Sequence, residues 1–150
     1  MKDIKDLVQG LTDKNDSYAY QCLKLLVQEC QCSSAVYPYF DSFVAMLEDK
    51  NTYIRTRGLT LIASCARWDT ENKLDGIIHQ YLKHLSDEKP ITARKCIDSL
   101  PLIAEYKPDL RGKIVLALQN ANCLQYPDSM QSLVKKDVHN ALRHIEKLFD

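Results

Sequence analysis

Glycine and proline are scarce in this chain, four and five in 150 residues, too few for the tight turns of a strand-and-turn protein. Apolar residues recur instead at helical spacing, and an all-α protein is expected. No uninterrupted apolar segment approaches the ~18 residues of a spanning helix, and the N-terminus, Met1-Lys2-Asp3-Ile4-Lys5-Asp6, is charged where a secretory signal needs an apolar run. These two absences point to a cytoplasmic protein with no membrane attachment. Net charge is absent as well. Twenty basic and twenty acidic residues cancel, so no global field steers the chain toward nucleic acid or an anionic surface, and any such attraction must be local.

Motifs that carry chemistry are also missing. There is no Gly-rich phosphate loop, no Gly-x-Ser-x-Gly elbow and no Cys-x-x-Cys pair. His79 and His84 are five apart, as are His139 and His144, so neither pair shares a helix face as a helical zinc site requires. All four read as surface histidines. Cys22, Cys30, Cys32, Cys65, Cys96 and Cys123 lie mostly inside apolar helical stretches without the spacing of a disulfide framework, and read as free thiols acting as small hydrophobes. Cys30 and Cys32 stand about 200° apart on a helix and cannot clasp a metal there. No catalytic residue, metal or cofactor is therefore expected.

What the chain does contain is a repeat. Leu85-Ser86-Asp87 ends one helix, and a second, from Pro90, carries Ile97, Leu100, Ile103 and Ala104 on one face. Leu47-Glu48-Asp49 with Ile54, Leu59, Ile62 and Ala66 has the same layout, and Leu11-Thr12-Asp13 with Tyr18, Leu23 and Leu26 is a fainter copy. Leu11 to Leu47 is 36 positions and Leu47 to Leu85 is 38. A fixed period with two helices per unit marks a helical repeat array.

Eight helices follow from the stripes. The first runs from about Lys2 to Gly10 on Ile4, Leu7, Val8 and Leu11, and the second, capped from the polar turn Thr12 to Asp16, carries Cys22, Leu26 and Cys30. Ser33-Ser34 breaks the run before a third helix with Pro38 in its first turn, holding Phe40, Phe43 and Leu47. The fourth holds Leu59, Ile62 and Cys65; its interior Gly58, costing roughly 1 kcal/mol relative to Ala, predicts close approach of a neighbour. Asp69-Thr70 opens a fifth helix with Leu74, Ile78, Tyr81 and Leu85. The sixth starts at Pro90 and contains Pro101, which removes one helical hydrogen bond. Lys107-Pro108-Asp109 starts the seventh. Asp128 with Gln131 reads as N-cap and capping box of the eighth, which carries Val134, Val138, Ala141, Leu142 and Ile145.

Four helix pairs with Asp in the inter-helix turn and a basic residue early in the second helix resemble HEAT/armadillo-type repeats, on Leu47-x-Asp49 with Ile54-Arg55 and Leu85-x-Asp87 with Arg94. The period of 36 to 38 is shorter than the ~40 to 47 of that class. The resemblance implies one domain over residues 1–150, a right-handed α-α superhelix, with a concave surface lined by the second helix of each pair.

Candidate contact residues follow from the register of Leu23, Leu59, Ile97 and Val138. Two positions before each stand Gln21, Arg57, Lys95 and Lys136, roughly opposite the core stripe, which predicts a solvent-facing ladder with three basic rungs. Arg55, bridging to Asp49, and Arg94 and Lys135 thicken it. Between Lys50 and Trp68 there is no acidic residue. Trp68, the sole tryptophan, reads as a helix-end anchor. Trp68-Asp69 also invites comparison with the HEAT-like alkylpurine DNA glycosylases, which use aromatic residues and an Asp on a concave face. A second tryptophan is missing, and no catalytic residue carries over. The expectation is a scaffold, monomeric or weakly self-associating, that binds a protein or peptide through Arg55, Arg57, Trp68, Arg94, Lys95 and Lys136. The alternative is a nucleic-acid-binding protein of the glycosylase kind.

Overall fold

A computed structural model describes residues 3–149, which contain eight α-helices and no strand. They are α1 (Ile4–Gly10), α2 (Asp16–Cys32), α3 (Phe40–Met46), α4 (Thr52–Ser64), α5 (Lys73–Leu82), α6 (Pro90–Tyr106), α7 (Arg111–Gln119) and α8 (Asp128–Lys147). Single 3-10 turns precede α3 and α7 and follow α4 and α5. The expected start of the first helix at Lys2, and the domain limits Met1 and Asp150, lie outside the described residues.

The repeat read from Asp13, Asp49 and Asp87 is one hydrogen bond made three times. Asp13 Oδ1 accepts from Asn15 N at 2.8 Å, Asp49 Oδ1 from Asn51 N at 2.8 Å and Asp87 Oδ1 from Lys89 N at 2.9 Å. Each closes a short turn and delivers the N-cap residue of α2, α4 or α6. Asn15 and Asn51 then cap with their own side chains, accepting from Tyr18 N and Tyr53 N, which satisfies amide groups a helix start leaves unpaired.

The second helices of the pairs lie side by side in chain order, α2 on α4, α4 on α6 and α6 on α8, while α1, α3 and α7 pack against α2, α4 and α8. The core runs between the layers through Leu26, Phe43, Leu59, Tyr81, Ile97 and Ile114, each at most 1% exposed. Gly58 is where the expected close approach occurs. A Cβ there would stand 2.9 Å from Phe43 O and 3.0 Å from Met46 Cβ, so α3 can cross α4 only over a residue without a side chain.

Four expected helix starts differ. Ser33-Ser34 does not cap α3, because Tyr37–Tyr39, with Pro38, form a 3-10 turn and the α-helix begins at Phe40. Asp69 does not begin α5 directly; the chain turns through Asn72 at φ 55°, and the Asp69 carboxylate reaches forward to accept from Lys73 N and Leu74 N. Asp128 is the first residue of α8 rather than its cap, and Gln131 turns outward to donate to Tyr126 O. Leu110 precedes α7 within a 3-10 turn opened by Pro108.

Candidate functional site

On α4, Thr56 and Thr60 lie within about 40° of each other on the side between α2 and α6, Ser64 stands about 40° further round, and Thr52, about 40° the other way, meets Thr92 of α6. Three of these hydroxyls bond back into their own helix: Thr56 Oγ1 donates to Thr52 O at 2.8 Å, Thr60 Oγ1 to Thr56 O at 2.9 Å and Ser64 Oγ to Thr60 O at 2.9 Å. Their protons are given to the backbone, leaving oxygen lone pairs outward, and Thr52 and Thr56 also meet the Thr92 hydroxyl of α6. What the face presents outward is short and mostly apolar, so α4 lies recessed between taller neighbours.

The result is a trough. Leu23, Lys24 and Val27 of α2 form one wall, Lys95 of α6 stands on the other side, and Tyr20 and Tyr53 flank the mouth, together enclosing about 520 Å³. Beyond Val27 it continues into a recess of about 100 Å³ between Cys30, Ser64, Arg67 and Leu102. Tyr20 is 53% exposed and Tyr53 49%, large areas for tyrosines that do not cover a core. Lys24 Nζ lies 5.6 Å from the centre of the Tyr20 ring. Among the described residues neither Lys24 nor Lys95 forms a salt bridge, although Lys95 feels the charge of Asp98 one turn on in α6, so this face carries a modest positive charge.

Of the residues singled out in the sequence, Arg57 and Lys95 line this trough, but the ladder is interrupted at Arg57. That side chain is buried, donating to Leu11 O at 2.9 Å and to Asp16 Oδ1 at 3.0 Å. The reason is lateral packing: α4 has α2 on one flank, α6 on the other and α3 behind, so a position opposite the core stripe still meets a neighbouring helix. Gln21 and Lys136 are exposed and Lys95 half-buried. Arg94 bonds Asp137 of α8 at 2.6 Å. Trp68 anchors a helix end as expected, its indole N–H donating to Cys30 O at 2.6 Å.

Arg55 does not bridge to the Asp49 side chain. It reaches the next unit, making two bonds to the Asp87 carboxylate at 3.0 and 2.8 Å, and takes only the backbone carbonyls of Asp49 and Lys50 from its own turn. His84 joins it, Nδ1 lying 2.9 Å from Asp87 Oδ2 with the ring side chain 11% exposed, so this histidine is not a surface residue. Burial alone would raise the Asp87 carboxyl, but the bonds from Arg55, Lys89 N–H and His84 outweigh it and hold Asp87 below the ordinary carboxylate range.

A second buried chain escaped the sequence reading. Tyr37 Oη donates to Asp69 Oδ1 at 2.6 Å, and Lys107 Nζ sits 3.3 Å from Asp69 Oδ2, 2.8 Å from Asp75 Oδ1 and 2.6 Å from Asn72 Oδ1. The signal was present: Tyr37 to Asp69 and Asp75 to Lys107 are both 32 positions, one repeat of 38 apart. Asp69 also accepts from Lys73 N and Leu74 N, so both groups are engaged in holding these turns together, a structural role.

Comparisons with known protein families, with characterised proteins and with solved structures find no match. Among the described residues no helix is long and apolar enough to cross a membrane.

Proposed function

We propose that this chain is a non-enzymatic adaptor, a right-handed HEAT-like superhelix of four antiparallel helix pairs that holds a peptide segment of a protein partner along α4. The observation that carries this reading is the recessed face of Thr56 and Thr60, whose hydroxyl protons are donated into their own helix, walled by Leu23 and Val27 and open between two exposed tyrosines. An apolar floor with a few polar groups at its rim is the usual composition of a recognition groove.

Charge and length narrow the occupant. Asp16 is neutralised by Arg57, which leaves Lys24 and Lys95 to favour an acidic segment. Thr56 to Ser64 spans about 12 Å, room for roughly two turns of helix or three to four extended residues. The nucleic-acid reading draws less support from this face, since Arg55, Arg57 and Arg94 are each paired to an aspartate.

The test is selection from a display library of random dodecapeptides, followed by titration of the enriched sequences. Acidic residues around an aliphatic or aromatic anchor should be enriched. Thr60→Trp, which fills the trough without touching the core, should weaken them at least about tenfold, a loss of about 1.4 kcal/mol, with the circular dichroism spectrum unchanged. Peptides that bind Thr60→Trp as well as the parent would overturn the reading.

A further inference from the structure

The exposed arc of α8 carries a row of cations. Taking 100° per residue, Arg143 and Lys147 lie within about 20° of Lys136, and Ser129, Ser132 and Asn140 within about 40°. All six are exposed. No acidic residue falls in that strip, since Asp128 and Glu146 stand about 80° away and Asp137 about 100°. Three cations therefore line up over about 16 Å of axis, flanked by His139 and His144, in a protein whose total charge is zero.

These cations are free. No salt bridge among the described residues involves Lys136, Arg143 or Lys147; other surface lysines such as Lys24 and Lys95 share this, and what sets the three apart is that they stand in one row without a carboxylate in it. The lower part of the strip opens onto a surface cleft of about 490 Å³ lined by Asn140, Arg143, His144 and Lys147. The apolar face of α8 is spent: Val134, Ala141 and Ile145 are buried against the rest of the fold.

From this we infer that the outer strip of α8 is a binding site for the phosphodiester backbone of a duplex nucleic acid, separate from the trough and read without base contacts. A membrane surface fits poorly, because interfacial helices insert an apolar face that α8 has already buried in the core. An acidic protein segment would find no apolar anchor among Lys136, Asn140, Arg143 and Lys147, and exposed charge pairs alone contribute little. Phosphate contacts need no such anchor: Lys and Arg with hydroxyl and amide donors are their ordinary partners, and release of counterions drives them. Single strands bind chiefly by stacking on aromatic rings, and the strip has none.

Fluorescence anisotropy of a labelled duplex of arbitrary sequence, as DNA and as RNA, tests this against a single strand of equal length. With three phosphates neutralised, the slope of log K on log salt should be about −2.7 for DNA, and affinity should fall roughly 40-fold between 50 and 200 mM salt. Lys136→Gln/Arg143→Gln/Lys147→Gln should lose at least about tenfold in affinity at the lower salt and flatten that slope, with helicity unchanged. Lys24→Gln/Lys95→Gln, altered only in the trough, should bind as the parent does. Absence of duplex binding at 50 mM salt, or equal binding by the α8 variant, would overturn the proposal. So would binding of polyglutamate or phosphatidylserine vesicles in place of the duplex.

Discussion

Arg55 and Arg57 stand two residues apart on one helix and are both 6% exposed, yet they differ in what they hold. Asp87, the partner of Arg55, has a side chain only 5% exposed, whereas Asp16, the partner of Arg57, is 63% exposed. Removing Arg55 leaves a buried carboxylate without its cation, which typically costs about 3–5 kcal/mol. Removing Arg57 returns Asp16 to water and leaves mainly the Leu11 carbonyl unpaired, about 1–3 kcal/mol. Urea unfolding should therefore show a larger drop in midpoint for Arg55→Ala than for Arg57→Ala, at unchanged slope. The reverse order would mean that Asp87 is held by His84 and Lys89 N–H without Arg55.

The same carboxylate sets an acid limit. Its folded pKa lies below the usual value, so the stability it contributes is fully present above the unfolded value of ~3.9 and is lost as pH falls through the lower folded value. The urea midpoint should fall on acidification below about pH 4, and Asp87→Asn should make that decline shallower while leaving pH 6 to 8 flat. Arg55 and Asp87 are 32 positions apart, the spacing of Tyr37 and Asp69, so that pairing leaves a trace in the chain, whereas the burial of the arginines does not. A stripe pattern identifies one buried face, and correctly placed Leu59, Ile62 and Cys65 inward; it gives no sign that α4 is covered on both flanks as well, which is what buries the two arginines.

At the scale of the element, the glycines separate packing from propensity. Ala exceeds Gly by roughly 1 kcal/mol inside a helix, and Gly76 in α5 has nothing within 4 Å of its missing Cβ. Gly76→Ala should raise the thermal midpoint, by about 0.5–1 kcal/mol of stability. Gly58→Ala should lower it despite the same propensity gain, because the new Cβ meets the Phe43 carbonyl at 2.9 Å and displacing backbone typically costs about 1–3 kcal/mol. Scanning calorimetry of both variants checks the opposite signs. Gly58 was readable from sequence because a glycine inside so apolar a stripe had no other reason to be there. The start of α8 was not: Asp128 and Gln131 have capping-box spacing, but Pro127 fixes the entry and Gln131 is taken by Tyr126 O. The trough was half legible. The register of the apolar stripe places Lys95 and Arg57, whereas nothing in the chain marks Thr56 and Thr60 as a floor, since short polar residues on a helix read as ordinary surface.

At the scale of the whole molecule, the first three pairs are laced to one another at both helix ends, and the last is tied to the third through Arg94–Asp137 and Tyr126–Asp87. Arg55 joins the Asp49 turn to the Asp87 turn. At the opposite ends, Arg67 donates both to Gln31 O of α2 and to Tyr106 Oη of α6, and Lys107 ties Asp69 to Asp75. The accessible surface is 8307 Å², against about 7,800 Å² for a compact protein of this mass, so the units share nearly as much interface as a globular core. A long array with weak interfaces unfolds piecemeal; this one should unfold as a single unit. The sole tryptophan makes that measurable. Trp68 is bound to Cys30 O, so its fluorescence reports the junction of the first two pairs, while far-ultraviolet circular dichroism reports all the helices. Their urea transitions should coincide. Lys107→Met, by leaving the fully buried Asp69 carboxylate without its cation, should shift both to lower urea by about 3–5 kcal/mol of stability and keep them superimposed. Were the fluorescence transition to stay in place while the dichroism moved, Lys107 would stabilise only the later helices, and the lacing would not carry cooperativity across the array.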